Sequence, residues 1–536
     1  MNTQILPSAN AADRRVSVRD AVVALLRAFG IRHVFGNPGS TELPLLRDFP
    51  EDFRYVLGLH EAVVVGMADG YAQATGNATF VNLHSAAGLG NAMGNLFTAF
   101  KNRTPMIVTA GQQARSLLPF DPYLGAMQAT ELPKPYVKWS IEPARAEDVP
   151  LALVRAYHVA MQEPRGPVFV SIPVDDWDRL TDPVEAVDVC TLVRPDSDAL
   201  ARLGDALDRC ERPAFVVGAA VDQGDAWDAM VALAERHNAR VFAAPMSARC
   251  SFPENHRLFA GFLAPMRERI VQALSGHDFV FAVGAPAFIY HVEGSGPHVP
   301  PGTTLCQLVD DVTVAAVSPS GMSVVGNVRL GLLELLARSA TPLRALPQAR
   351  APLPRAEPSA RMTPAFALQT LADVRDAEHI VVEESPGSRR TMQGYLPFTE
   401  PHTFYTMASG GLGYGMPAAV GVALASPGKK VICLIGDGSS MYSIQSMWSA
   451  AQLGLPVTFV VMNNGRYEAL RDLALLFGFD KTDAVQGTAL PDLDFVGLAR
   501  SMGCRAVKVE HAESLADVLK TALAEETANL VEVIVS

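Results

Sequence analysis

Short apolar runs recur along the chain in three series and alternate with stretches of helical periodicity. The first series reads HVFG, TFVNL, PMIVTAG and PVFVSIP, interleaved with helix-like RDAVVALLRAF and EAVVVGMADGYAQAT. The second reads PAFVVGAAV, ARVFAAP, DFVFAVG and TTLCQLV. The third reads HIVVEES, KVICLIGDG, PVTFVVMNN and LVEVIVS around the helix-like SIQSMWSAAQL. Runs this short, continuous rather than alternating in hydrophobicity, predict strands buried on both faces. Strands that alternate with helices predict parallel sheets with helices on both sides. The expected architecture is therefore three doubly wound α/β domains in a line.

A Pro/Asp-rich stretch, TDPVEAVDV followed by VRPDSD, separates the first series from the second, and TPLRALPQARAPLPRAEPSA, almost without periodicity, separates the second from the third. These breaks place the domains at 1–183, 190–340 and 362–536, with a surface linker at 341–361. A length of 536 residues suits that division, and 49% apolar with 19% charged residues is globular composition. No apolar run reaches the roughly 18 residues of a membrane helix. The N-terminal string MNTQILPSANAADRRVSVRD has no apolar core and carries acidic residues, so a soluble, bacterial-type cytoplasmic chain is expected. A net charge of −12 without a Lys/Arg cluster argues against a nucleic-acid partner. Cys190, Cys210, Cys250, Cys306, Cys433 and Cys504 are scattered, without zinc spacing, and read as reduced thiols.

The most specific chemical signal begins in VICLIGDGSSMYS and ends in VTFVVMNNGRY. Asp437 and Asn464 are one strand–helix–strand unit apart, which returns both to the carboxyl edge of one sheet, where ligands of α/β proteins bind. An oxygen-only pair beside glycines suits Mg²⁺ (or Ca²⁺), shared with a phosphate ligand. Gly436 and Gly438 let backbone amides approach that phosphate at a helix N-terminus. GDG alone is no more than a tight turn at a strand end; GDG with NN at this distance is far more specific.

This pairing resembles the motif of the thiamine-diphosphate-dependent 2-oxo acid decarboxylase family, and the resemblance extends from FGNPGSTELPLL to the final strand. It implies a pyrimidine-binding, a central and a diphosphate-binding domain. It also implies thiamine diphosphate and Mg²⁺ as cofactors, with Asp437, Asn464 and the Arg466 carbonyl as metal ligands. Glu61, at the start of EAVVVGMADGYAQAT, matches the carboxyl group that activates the aminopyrimidine, although a Glu opening a helix is ordinarily just a favourable terminal charge. In MASGGLGYGMP, Leu412 matches the wedge beneath the cofactor and Gly410 the carbonyl facing its amino group; Ser439, Tyr442 and Tyr467 complete the implied cofactor contacts. Ser40 in FGNPGSTELP, His84 in FVNLHSAAGLG and His291 in FIYHVEG match polar catalytic residues of the benzoylformate decarboxylase branch. A lone His after an apolar strand is more often a satisfied core residue; two in matching strings are not. The branch implies a homo-oligomer, a dimer of dimers, because the glutamate serves a cofactor held mainly by a neighbouring subunit.

The implied reaction is non-oxidative decarboxylation of a benzoylformate-like 2-oxo acid to an aldehyde and CO₂, with carboligase side activity. Ser40 would hold the substrate carboxylate while His84 and His291 move protons. Tyr123, Leu124, Thr406, Leu470 and Leu473 are the expected substrate pocket, and here the chain departs from the branch: Thr406 and Leu473 stand where it has phenylalanines. EESPGSRR likewise replaces a Ser/Thr-rich diphosphate loop. Three rivals are weaker. An acetohydroxy acid synthase-like carboligase usually lacks the histidine pair and often carries FAD. A dinucleotide-dependent dehydrogenase needs a GxGxxG that VVGAAVDQG does not supply. Against a non-catalytic homologue stand Glu61, Asp437 and Asn464.

Overall fold

The computed structural model describes residues 15–338 and 343–536. The start of the expected first domain, and the expected boundary between central domain and linker, lie outside them. The described chain forms three six-stranded parallel sheets. In the first, β1 (His33–Gly36), β2 (Arg54–Leu57), β3 (Thr79–Leu83), β4 (Met106–Gln112), β5 (Ser140–Ile141) and β6 (Pro167–Pro173) run in the order β2-β1-β3-β4-β6-β5. The central sheet comprises β7 (Pro213–Val217), β8 (Arg240–Ala243), β9 (Phe259–Phe262), β10 (Phe279–Val283), β11 (Thr304–Val309) and β12 (Met322–Val325), in the order β9-β8-β7-β10-β11-β12. The third comprises β13 (Ile380–Glu384), β14 (Phe404–Thr406), β15 (Val431–Gly436), β16 (Val457–Asn463), β17 (Arg505–Val509) and β18 (Asn529–Ile534), in the order β14-β13-β15-β16-β18-β17. The first and third sheets thus share one topology, and the central sheet has another.

The chain divides into two units, 1–191 and 192–536. In the first, an antiparallel pair, Val16–Ser17 with Leu180–Thr181, ties the beginning of the unit to its end. Ser17 then caps the helix Val18–Ala28 by accepting from the Asp20 amide, and the apolar face of that helix (Val18, Val22, Leu25, Leu26) packs with Val149, Leu153, Val168 and Val170.

The second unit holds both remaining sheets, joined through a buried polar cluster. Arg249 donates to Asp222 at 2.7 Å, Asp222 accepts from the His402 amide at 2.9 Å, and the Arg249 guanidinium lies over the Tyr405 ring. Trp227 and Cys250 join the apolar core of the third sheet. Residues 343–359 contain no helix or strand, but they are not a loose spacer: the Arg344 guanidinium donates to the carbonyls of Leu207 and Cys210 and to His237. Among the described residues no helix is long and apolar enough to cross a membrane.

Candidate active site

In the first sheet β1 and β3 are neighbours whose connections leave in opposite directions, to β2 and to β4, which opens a crevice at their carboxyl ends. Ser40 follows β1 and His84 follows β3, so the fold brings both to that crevice. Ser40 is exposed. The His84 side chain is 19% exposed, and its Nδ1 lies 2.9 Å from Oε2 of Glu42, whose side chain is fully buried.

Glu42 is the residue that sequence reading missed. Its Oε2 also accepts from the Gly39 amide at 2.9 Å, and its Oε1 from the Thr41 hydroxyl at 2.6 Å and the Gly111 amide at 3.1 Å. A Cβ on Gly111 would stand 2.2 Å from that oxygen, so only glycine fits in β4 at this point. Both Glu42 oxygens accept from other donors, so the contact places Nδ1 of His84 to donate to Glu42 and leaves Nε2 for proton transfer. The next residue, Ser85, is buried with φ 47°, a left-handed conformation costing a serine about 1–3 kcal/mol. Strain of that kind persists where the surroundings over-determine the backbone.

Glu61 follows β2 and opens the helix Glu61–Thr75, with His60 as its cap. Its Oε2 accepts from Asn91 Nδ2 at 3.1 Å, and a Cβ on Gly88 would lie 3.2 Å from Oε1. The carboxylate therefore sits between two helix starts, half-buried. Gln112, ending β4, pins the following loop by bonding both the amide and the carbonyl of Ala126. That loop carries Tyr123, 87% exposed, and Leu124, at φ 61°.

In the third sheet the equivalent crevice lies between β13 and β15. Asp437 directly follows β15 and is 4% exposed. Its Oδ1 accepts from the Gly438 amide at 2.7 Å, and its Oδ2 from the amides of Asn464, Gly465 and Arg466 at 3.2, 2.7 and 3.2 Å. Burial pushes the Asp437 pKa up and these amides pull it back; among the described residues no Lys or Arg side chain hydrogen-bonds to it. A desolvated carboxylate without a cationic partner, with the Asn464 side chain in the same network, fits a hard divalent cation. Among the described residues no three His, Cys, Asp or Glu side chains gather as a metal-binding group. The Tyr467 ring occupies the space that a Cβ on Gly438 would need, approaching it to 2.2 Å, whereas a Cβ on Gly436 would make only ordinary contacts. Only Gly438 is sterically required. Burial and the adjoining Tyr442 phenol raise the Tyr467 pKa. Ser439 is buried, Tyr442 is 56% exposed, and Gly410 and Leu412 lie in the loop before the helix Gly415–Ala425.

The remaining candidates are less uniform. His291 is exposed on the loop after β10, its amide bonded to the Pro265 carbonyl at 2.8 Å. Leu470 is 50% exposed and Leu473 half-buried on the helix Glu468–Ala474. Thr406 differs from expectation: it is 1% exposed, and its hydroxyl lies 2.9 and 2.8 Å from Oε2 and the carbonyl oxygen of Glu383 and accepts from the Arg389 guanidinium. It is a member of a buried ion-pair network, with no free polar group to offer a substrate. Position along the chain locates a residue near a crevice but does not fix the direction of its side chain.

Residues 16–132, 200–335 and 387–533 match, respectively, the N-terminal TPP binding domain, the central domain and the C-terminal TPP binding domain of thiamine pyrophosphate enzymes. Benzoylformate decarboxylase of Pseudomonas aeruginosa is 43% identical over 96% of this chain and 98% of its own. The acetolactate synthase large subunit of Haemophilus influenzae is 26% identical over 95% of this chain and 92% of its own. Among solved structures, benzoylformate decarboxylase from Polynucleobacter necessarius superposes with a TM-score of 0.94 at 39% identity, covering 97% of this chain and 98% of that one. The 4-hydroxybenzoylformate decarboxylase from Rhodococcus jostii superposes with a TM-score of 0.93 at 40% identity, covering 97% and 99%. With all three domains matched and close similarity along nearly its whole length, the chain belongs to the thiamine pyrophosphate enzyme family.

Proposed function

We propose that this chain is a carboxy-lyase that decarboxylates an aromatic 2-oxo acid of the benzoylformate kind, using thiamine diphosphate and a divalent metal. The observation that carries the reading is the pairing of His84 with buried Glu42 beside Ser40, because it equips one crevice for proton transfer next to a hydroxyl able to hold a carboxylate. The similarity to benzoylformate decarboxylases at 39–43% identity supports it, against 26–28% for acetolactate synthases. Thiamine diphosphate, when bound, supplies the electron sink that decarboxylation requires.

The protein's own groups supply position and protons. Asp437, Asn464 and the Arg466 carbonyl would hold the metal, while Gly438, Ser439, Tyr442 and Tyr467 would surround the diphosphate. The Glu61 carboxyl would share a proton with the aminopyrimidine, Ser40 would donate to the substrate carboxylate, and Nε2 of His84 would move a proton at the reacting carbon; the resemblance implies a proton-transfer role for His291 as well. The resemblance implies substrate contacts for Tyr123 and Leu124 in the first unit and for Leu470 and Leu473 in the second. The resemblance also implies a homo-oligomer in which Glu61 faces a neighbouring subunit's cofactor; the exposed Phe120, Tyr123, Met127 and Phe477, at 79, 87, 83 and 76%, support burial by another copy. Six free cysteines suit a reducing cytoplasm.

The test is CO₂ release from a panel of aromatic and aliphatic 2-oxo acids, with thiamine diphosphate and Mg²⁺ added to the purified protein. Release from benzoylformate above the aliphatic acids is expected. Acetolactate formation from pyruvate without aldehyde release would instead make the chain a carboligase.

A further inference from the structure

The reaction as described makes no use of Glu384, a fully buried carboxylate at the end of β13. Its Oε1 accepts from the Gly413 amide at 2.7 Å and its Oε2 from the Gly415 amide at 2.5 Å, with the Tyr414 amide also bonded to it. Burial pushes this carboxyl up to about 8, against the pull of those amides. A buried carboxyl whose two oxygens are both bonded by backbone amides does something that an apolar side chain filling the same space would not.

The amides it binds end the loop that carries Leu412. Gly410 at φ 73° and Gly413 at φ 100° bracket that leucine, both in backbone conformations that other residues adopt poorly. Gly411 is tied back to the Ser409 hydroxyl at 3.0 Å. A Cβ on Gly415 would stand 2.8 Å from the Glu384 Cβ, so the strand end and the loop end approach as closely as glycine permits. Beyond Gly415 the chain enters a helix buried as far as Ala423. The loop is thus anchored at its C-terminal end by one carboxylate whose two oxygens fix amides two residues apart.

We propose that Glu384 is a positioning residue that holds the 410–414 loop so that Leu412 supports the bound thiamine diphosphate; it acts through Leu412 and touches no reacting atom. This rests on the cofactor reading above. A Gln at 384 offers one acceptor oxygen and turns an NH₂ toward the remaining amide, which loosens the loop without removing the leucine.

The experiment titrates thiamine diphosphate with Mg²⁺ into cofactor-free parent, Glu384→Gln, Leu412→Ala and the double variant, and follows exchange of the cofactor's C2 proton at saturation by NMR. Glu384→Gln is expected to weaken binding about 10- to 100-fold and to slow the exchange. The double variant is expected to bind no more weakly than the worse single variant, because both act on one contact. Amide hydrogen exchange in the cofactor-free parent gives a readout independent of any variant's folding, and protection at Gly413 and Gly415 is expected. Parent-like binding and exchange in Glu384→Gln, additive losses in the double variant, or unprotected amides at 413 and 415 would overturn the proposal. A parent that takes up no thiamine diphosphate would overturn the functional reading and this inference together, whereas a binding parent beside an unaffected Glu384→Gln overturns the inference alone.

Discussion

The first and third sheets share a strand order yet carry different chemistry at their carboxyl ends. At the first, side chains face one another: Glu42 orients His84, Ser40 is exposed nearby, and Glu61 rests on Asn91. At the third, a carboxylate faces backbone: Asp437 collects four amides and Glu384 those of Gly413 and Gly415. The topology provides the crevice in both places, and the loop residues decide its use. Side-chain pairs suit groups that must gain and lose protons. Backbone donors, which do not titrate, suit holding a charged ligand in place.

If that division holds, removing a metal ligand at the third sheet gives the largest loss. Asp437→Ala should weaken metal-dependent cofactor uptake beyond the roughly 10- to 100-fold typical of residues that only support a ligand. Calorimetric titration would check it, and uptake within a few-fold of the parent would break the comparison.

Next in size is His84→Ala, which should lower kcat about 10²- to 10⁴-fold while cofactor affinity holds. Glu42→Gln should lower kcat less and displace the pH–rate profile, because Nδ1 loses its carboxylate but Nε2 remains. A profile superimposable on the parent's would remove Glu42 from the account.

A smaller pair of effects separates Thr406 from Leu473. Leu473→Phe should raise kcat/KM for benzoylformate over a short aliphatic 2-oxo acid, by at most the 10- to 200-fold typical of about 1–3 kcal/mol of apolar contact. Thr406→Phe should instead lower the Tm, since overpacking typically costs about 1–3 kcal/mol and the ring would enter the Glu383–Arg389 pair. Equal gains in kcat/KM from both substitutions would restore Thr406 to the pocket wall.

The least effect concerns pH and serves as a control on the histidines. Burial, helped by Arg344, lowers the His237 imidazole to about 4, against 6.5 in an unfolded chain. Below 6.5 the unfolded chain takes up a proton that the folded chain refuses, so this contribution is complete above 6.5 and falls as pH drops toward 4. Tm should decline across that window and decline less in His237→Gln. Only activity loss exceeding that decline belongs to the first sheet's proton chemistry.

The sequence made the inner strands legible and most of the outer ones not. HVFG, TFVNL and PVFVSIP coincide with β1, β3 and β6, because an inner strand of a parallel sheet is covered on both faces and reads as an unbroken apolar run. Ser140–Ile141, Phe259–Phe262, Met322–Val325, Phe404–Thr406 and Arg505–Val509 were not legible; all are sheet edges, where one side is open or the strand is short. Asp437 and Asn464 stood out because glycines and a second strand mark them. Glu42 and Glu384 did not, since the partners that give them their roles, His84 for the first and Gly413 and Gly415 for the second, lie 42 and 29 to 31 residues further along. Thr406 was placed by position alone, and its hydroxyl turned out to face Glu383.

The division of labour between the two edges is tested most directly in Glu61→Gln, by measuring thiamine diphosphate affinity and C2-proton exchange on the same sample. The account predicts affinity within a few-fold of the parent and exchange slowed about 10²- to 10⁴-fold, because the amide still fills the space but cannot share a proton with the aminopyrimidine. Exchange at the parent's rate, or loss of cofactor binding in its place, would contradict it.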